Sequence, residues 1–530
     1  MFPQRQHKYV AVAGNEDIEE DERSTSLDIL PTEASFLPQL EEVPQGRHLG
    51  LFSTIVLFVS RILGSGFLAI SSGMYNDCGR SPFFFFLSWI IACGAAFAGL
   101  YVYLELGSFI PRSGGTKAFF EVIYDRPYML ASVVISLYSV MYGFTISNIL
   151  VFGEYFLHAL GIETTDWNIR IVGLTLLYLT CAFHGISVHH GVRVQNFIGA
   201  LKLILAALIV LTGLWVSVFP SKITGIESQL HAHEFFPAKS EITLGSFASA
   251  IIKGTFACAG WNTIHTVTNE IKNPIHTLKI AGPVSLLIIT VTYIFINVAY
   301  LVVIPDKEIS ESGQLIGSIL FEKIFGYRIG RQCLTIASAV CTAGNVFVVL
   351  YTISRVSQEV FREGFLPLSK FMSSNWPGDA PLPTLVLSCA LSTIVVLGSP
   401  HGDVYNYIVS LESYPQQIFV ALCAIGIFIM RRRHPEFEPS IRSPIIGTIL
   451  VIFLSSYLMI MPLTDKNPNP KGMEKWPPYP YVGLFSLLLA ALYWLCMFKI
   501  GPKYFHYQIS AERVKLNDGL VITQWNKFPI

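Results

Sequence analysis

Two short stretches carry the residues best able to do chemistry. Gly64-Ser65-Gly66-Phe67 and Phe256-Ala257-Cys258-Ala259-Gly260-Trp261-Asn262 each interrupt a long apolar run. Glycine is a poor helix former and lets the backbone leave helical geometry. Inside a bilayer the freed N–H and C=O groups find no water, so a break is stable only beside a cavity or another polar group. Half-helix ends offer a positive pole to a carboxylate and carbonyls to a cation. That is binding chemistry rather than bond-making. For the first stretch alone, close helix packing on small residues competes evenly. Two interruptions at the same place in successive five-span blocks favour a binding site. No metal-ligand spacing, nucleophile elbow or phosphate loop accompanies them, so neither an enzyme nor a cofactor is expected.

Ionisable residues inside apolar runs are functional candidates by default. Lys202 lies about two turns into its run, too deep for easy snorkelling, although reaching the headgroups is the competing reading. Asn345 is expected to hydrogen-bond in a cavity or to join helices. Glu105 and Glu270 sit near span ends, as gate contacts or as plain solvated ends. Arg61 just precedes the first break, with Glu105 as a candidate partner. Glu154 and Lys253 are expected to reach headgroups, and His265 to be an ordinary packed or cavity-facing histidine. Glu412, near Pro415, Gln416 and Gln417, belongs to a polar patch without an assigned role.

The elements that position these residues are transmembrane helices. Of 530 residues 52% are hydrophobic and 14% charged, with a mean hydropathy of +0.52. A soluble domain carries about 25% charge. Apolar runs near the roughly 20 residues that a bilayer requires recur along the chain. They predict about twelve spans: 50–77, 82–109, 128–157, 169–188, 196–219, 245–270, 281–304, 331–354, 382–400, 404–430, 444–463 and 479–498. Lys and Arg concentrate in the loops after spans two, four, six, eight and ten, which alternation puts on one side. That side, with both termini, is expected to be cytoplasmic. A short external helix is expected within 305–330 and an irregular loop at 464–478. Residues 1–48 are polar and acidic, a disordered tail with no cleavable signal peptide. Residues 499–530 form a second cytoplasmic tail. A net charge of zero gives no reason to expect nucleic acid. Nine scattered cysteines, most within apolar runs, argue against a disulfide framework or zinc site.

Several motifs occur together in one order: Gly64-Ser65-Gly66-Phe67; Glu105-Leu106-Gly107 with Pro111-Arg112-Ser113-Gly114-Gly115; Gly191-Val192-Arg193-Val194-Gln195-Asn196; the second break; Glu270-Ile271-Lys272-Asn273-Pro274; and Ser354-Arg355 with Arg362-Glu363-Gly364. On these the chain resembles the amino acid–polyamine–organocation superfamily, its L-type amino acid transporter group, and within it the fungal methionine permeases. The resemblance covers about 50–370. It implies a LeuT-like fold: an all-α ten-helix core (49–430) of two inverted five-helix repeats, then two additional helices (431–498). It implies a substrate site between spans one, three, six and eight. There the carboxylate of an amino acid meets N–H groups at Ser65, Gly66 and Phe67. Its ammonium meets carbonyls near Ile62, Phe256 and Ala259. Phe256 is the implied aromatic gate, Cys258 a pocket-lining residue, and Lys202 the occupant of a former sodium site. Arg61 departs from the family, which usually has a small or uncharged residue there. The implied function is proton symport of a neutral amino acid, methionine first, at the plasma membrane or alternatively the vacuolar membrane. A sodium-independent exchanger or facilitator and a non-transporting nutrient receptor are the rival readings. Resemblance to fungal permeases also implies ubiquitin-ligase adaptors at the tails, with Lys8 as the ubiquitin site and Lys503, Lys515 and Lys527 as the alternative.

Overall fold

The computed structural model describes residues 50–64, 66–110, 115–186, 191–229, 235–261, 271–375, 380–515 and 521–529. Lys8, Ser65, Asn262, His265 and Glu270 lie outside the described residues, as does the whole 1–48 segment.

Nine helices among the described residues are long and apolar enough to cross a membrane. Asp166–Ile186, Leu244–Ala257 and Leu382–Gly398 fill the three remaining span positions. The start signals are local. Pro82 opens span two (Pro82–Phe109) and Pro274 opens span seven (Pro274–Val303), where a missing N–H costs nothing. Thr243 and Ser246 cap span six reciprocally. Side chains such as Ile204, Leu211 and Val218 on span five and Ile446 and Phe453 on span eleven are each more than half exposed. Apolar surface on this scale is what lipid covers.

Helix packing repeats under a shift of five spans. Span one packs on span seven, and span six packs on span two. Span three packs on span eight, span four on span nine, and span two on span seven. Because five is odd, the two blocks run in opposite directions through the bundle. Span eleven (Ile445–Thr464) lies against spans two, six and ten, and span twelve (Tyr479–Leu495) against span ten and the first half of span three.

Three features differ from expectation. Span three is two helices, Leu130–Met141 and Ile146–Leu160, parted where Gly143 packs near Ile353 of span eight. The region 305–330 holds two helices, Asp306–Glu311 and Ile316–Gly326. The C-terminal tail folds into an antiparallel hairpin, β1 (Tyr507–Lys515) and β2 (Val521–Pro529), with Tyr507 opposite Pro529. The Trp525 indole donates to the Glu363 carbonyl (2.6 Å), fixing the hairpin under the end of span eight.

Candidate substrate site

The first half of span one ends at Ile62. Leu63 turns the chain, the Gly64 N–H donates to the Ile62 carbonyl (2.7 Å), and the helix resumes at Gly66–Ala69. A Cβ on Gly64 would meet nothing nearer than the Ile62 carbonyl oxygen at 3.9 Å, so space opens beside the break. Arg61 stands in the last turn of the first half, where a cation opposes the negative helix end. The first N–H groups of the resumed helix, at Gly66 and Phe67, have no intrahelical acceptor and suit a carboxylate.

Span six winds out in the same way. Cys258 closes the helix Leu244–Ala257, and the Ala259 N–H bends back to the Phe256 carbonyl (3.0 Å). Gly260 follows at φ +115°, which L side chains rarely adopt. Trp261 then anchors the turn, edge-on to the Tyr103 ring (5.1 Å between centroids) and over Gly99 of span two.

The two breaks touch. A Cβ on Gly66 would lie 3.1 Å from the Ala257 Cβ, and one on Gly260 would lie 3.4 Å from Ile62. Tyr293 of span seven, fully buried, donates to the carbonyls of both Ala257 (2.8 Å) and Ile62 (3.2 Å). Tyr300 donates to the Phe67 carbonyl (2.8 Å) and Tyr155 of span three to the Leu68 carbonyl (2.7 Å). Carbonyls freed by unwinding are thus satisfied by phenols from neighbouring spans. The Ile62 carbonyl, accepting from both Gly64 and Tyr293, is already committed. The Phe256 carbonyl accepts the Ala259 N–H in turn, which leaves the Ala259 carbonyl as the remaining one of the three expected acceptors. Phe256 itself is half-buried beside the core.

Lys202 and Asn345, on spans five and eight, come together: the buried ammonium donates to the Asn345 amide oxygen. Two turns of span five seat this pair, with Gly199 against Ser60 of span one and Ile198 against Gly344 of span eight.

Other expectations are corrected. Cys258 is buried against Cys93 of span two (Sγ to Sγ 3.7 Å), so it faces the packed side of the break rather than a pocket. Glu105 does not look toward Arg61. Its carboxylate takes two hydrogen bonds from Arg431 (2.7 Å each) and one from the Ser443 N–H (2.6 Å), fully buried among spans two, ten and eleven. Lys253 does not reach for headgroups: it is buried and pairs with Asp77 at 2.6 Å. Asp77, Tyr293 and Tyr300 were missed. The only available signal was a polar atom recurring within an apolar span.

A further polar cluster joins the end of the second half of span one to the helix that follows span seven. Asp306 accepts from Tyr75 (2.8 Å), Arg80 and Lys239 (3.1 Å), and Asn76 and Ser310 exchange hydrogen bonds. Burial pushes the Asp306 carboxyl up, but the donors Arg80, Tyr75 and Lys239 outweigh it and hold it below the usual carboxylate range. A cavity of about 40 Å³ lies beside the second break, lined by Thr255, Ala259 and Trp261 of span six, Ser413, Gln416 and Gln417 of span ten, and neighbours from spans two and eleven. It has room for a few waters.

Paired breaks on a twice-repeated five-helix pattern describe a carrier, and comparison with known sequences agrees. A family model described as amino acid permease matches residues 49–491. The chain belongs to the amino acid permease family. This permease is 43% identical over 491 residues to the low-affinity methionine permease of Saccharomyces cerevisiae, covering 92% of this chain and 89% of the yeast protein. It is 29% identical to the high-affinity methionine permease of that yeast, covering 90% and 84%. It is 26% identical to human Asc-type amino acid transporter 1, covering 79% and 78%. The permease is therefore a multi-pass helical membrane transporter and not an enzyme.

Proposed function

We propose that the permease imports a neutral amino acid, methionine, by proton symport. The observation that carries the reading is the apposition of the two breaks under Tyr293, and the yeast methionine permeases supply the choice of substrate. The substrate carboxylate docks on the N–H groups of Ser65, Gly66 and Phe67. Its ammonium meets the carbonyl at Ala259, with Gly64, Gly260 and Asn262 lining the turn. Phe256 closes over the bound side chain. A thioether side chain asks only for an apolar, adaptable wall. Lys202, held by Asn345, supplies the positive charge that sodium supplies elsewhere, so transport needs no sodium. Glu270 acts in a gate contact at the end of span six, whereas Glu105, gripped by Arg431 and the Ser443 N–H, holds span two to spans ten and eleven.

The permease sits in the plasma membrane with both termini in the cytoplasm, and Lys8 receives ubiquitin for removal from the surface. The decisive experiment is uptake in a permease-deficient yeast, with labelled methionine competed by a panel of amino acids. Saturable uptake that falls as external pH rises is expected. If methionine neither enters nor competes, the substrate assignment is wrong.

A further inference from the structure

Span ten (Val404–Arg433) carries a carboxylate inside the bundle that the substrate site does not use. One oxygen of Glu412, Oε1, is buried with no hydrogen-bond partner among the described residues. Lys253 and Lys117, on elements packed against span ten, pair with Asp77 and Glu363; at the end of span ten itself Arg431 pairs with Glu105 and Arg433 with Asp125, and Arg432 is exposed. The hydroxyls that reach this part of span ten are phenolic. Tyr138 of span three donates to the Glu412 backbone carbonyl (3.3 Å), and Tyr142, bonded to Ser486 of span twelve, lies against Tyr138. The Tyr405 hydroxyl is also buried without a partner among the described residues. The other carboxylates nearby are Asp403, which caps the helix, and Glu154 of span three, which packs against span ten.

Helical spacing puts Tyr405, Glu412 and Gln416 on one stripe (i, i+7, i+11). Gln416, with Thr255, Ser413, Gln417 and Ser455, supplies the polar part of the cavity that touches Ala259 and Trp261 at the second break. Pro415 lies between, and with no N–H it leaves the Leu411 carbonyl without its helical donor. An ionised carboxylate with an unsatisfied oxygen is strongly disfavoured in such surroundings, whereas the neutral acid is tolerated. The Lys202 ammonium, by contrast, already has an acceptor.

We infer that Glu412 is the proton-binding carboxylate of the transport cycle, reached by water through the cavity between spans six and ten. Loading forms one O–H bond between a solvent proton and the carboxylate, and release reverses it. Emptying is linked to substrate because the cavity wall includes the second break, whose Ala259 carbonyl holds the ammonium. The inference rests on the proton-symport reading above.

The test uses full-length permease in proteoliposomes, reading the ratio of methionine uptake with and without an imposed acid-outside gradient. This ratio does not depend on how much protein is active. It is expected to exceed unity in the wild type, to collapse to unity in Glu412→Gln, and to survive in Glu412→Asp, which keeps the acid. A wild-type ratio of unity overturns proton symport and this inference with it. A wild-type ratio retained in Glu412→Gln overturns this inference alone. Should Glu412→Gln not fold, the wild-type chain decides: dicyclohexylcarbodiimide, which reacts with protonated buried carboxyls, is expected to label Glu412 at mildly acidic pH. Absence of that label by peptide mass spectrometry overturns the assignment.

Discussion

Lys253 and Asp77 stand 2.6 Å apart, an ion pair joining span six to the last residue of the second half of span one. The lysine side chain is 3% exposed and the aspartate 23%. Losing the Asp77 carboxylate strands a buried ammonium, a situation that costs about 3–5 kcal/mol for a fully buried pair. Asp77→Asn is therefore expected to lower thermal stability, at the lower end of that range because Asp77 is partly wet. The double variant Asp77→Asn/Lys253→Met is expected to recover much of the loss. Melting of detergent-purified protein, followed by size-exclusion fluorescence, checks this; additive losses would contradict it.

Tyr293 holds two carbonyls with one hydroxyl. Tyr293→Phe keeps the ring and removes only that oxygen. Leaving a buried acceptor unpaired costs about 1–3 kcal/mol. The expected outcome is a melting shift of that size together with a lower maximal uptake rate, since the two breaks lose their common tether. Tyr300→Phe, which frees only the Phe67 carbonyl, is the comparison, and a larger effect there would count against the tether.

Removing the Lys202 ammonium should abolish uptake in Lys202→Ala at normal surface expression, whether or not sodium is present. Asn345→Ala should show the milder form of the same defect, because it removes the acceptor and keeps the charge. Labelled-methionine uptake across external pH is the measurement. Unchanged uptake and pH dependence in Lys202→Ala would sink the sodium-substitute role.

The Asp306 carboxyl is held below its ordinary range when folded, burial being outweighed by its donors. Its stabilising contribution is thus present above the ordinary carboxylate range and lost as pH falls through its lowered folded value. Wild type is expected to melt above Asp306→Asn at neutral pH, with the two converging as the medium becomes strongly acidic. A difference that grows on acidification would reverse the sign and refute the assignment.

Glycine breaks and apolar lengths are written along the chain, so the twelve span positions and both unwound stretches could be read from sequence, and Lys202 and Asn345 stood out as single polar residues in apolar runs. Partner choice could not. Whether Glu105 meets Arg61 or Arg431, and whether Cys258 lines a pocket or packs on Cys93, depends on the rotation of each helix about its axis, which nearly uniform apolar spans do not encode. The bend at Gly143 was hidden because one glycine in a long apolar run costs only about 1 kcal/mol and signals little. Nor is the docking of the terminal hairpin legible, since it runs through Trp525 and the Glu363 carbonyl, 162 residues apart in sequence.

The Glu105 clamp has a mechanical consequence. Its carboxylate is gripped at once by the end of span ten and by the backbone that leads into span eleven. Pulling span two away from either would strip a fully buried charge of all three donors, so spans two and eleven and the end of span ten travel as one body. The hinge for any relative motion of span twelve therefore falls in the proline-rich connector after Thr464. The first additional helix is thus bolted to span two, while the second stands outside the bolt.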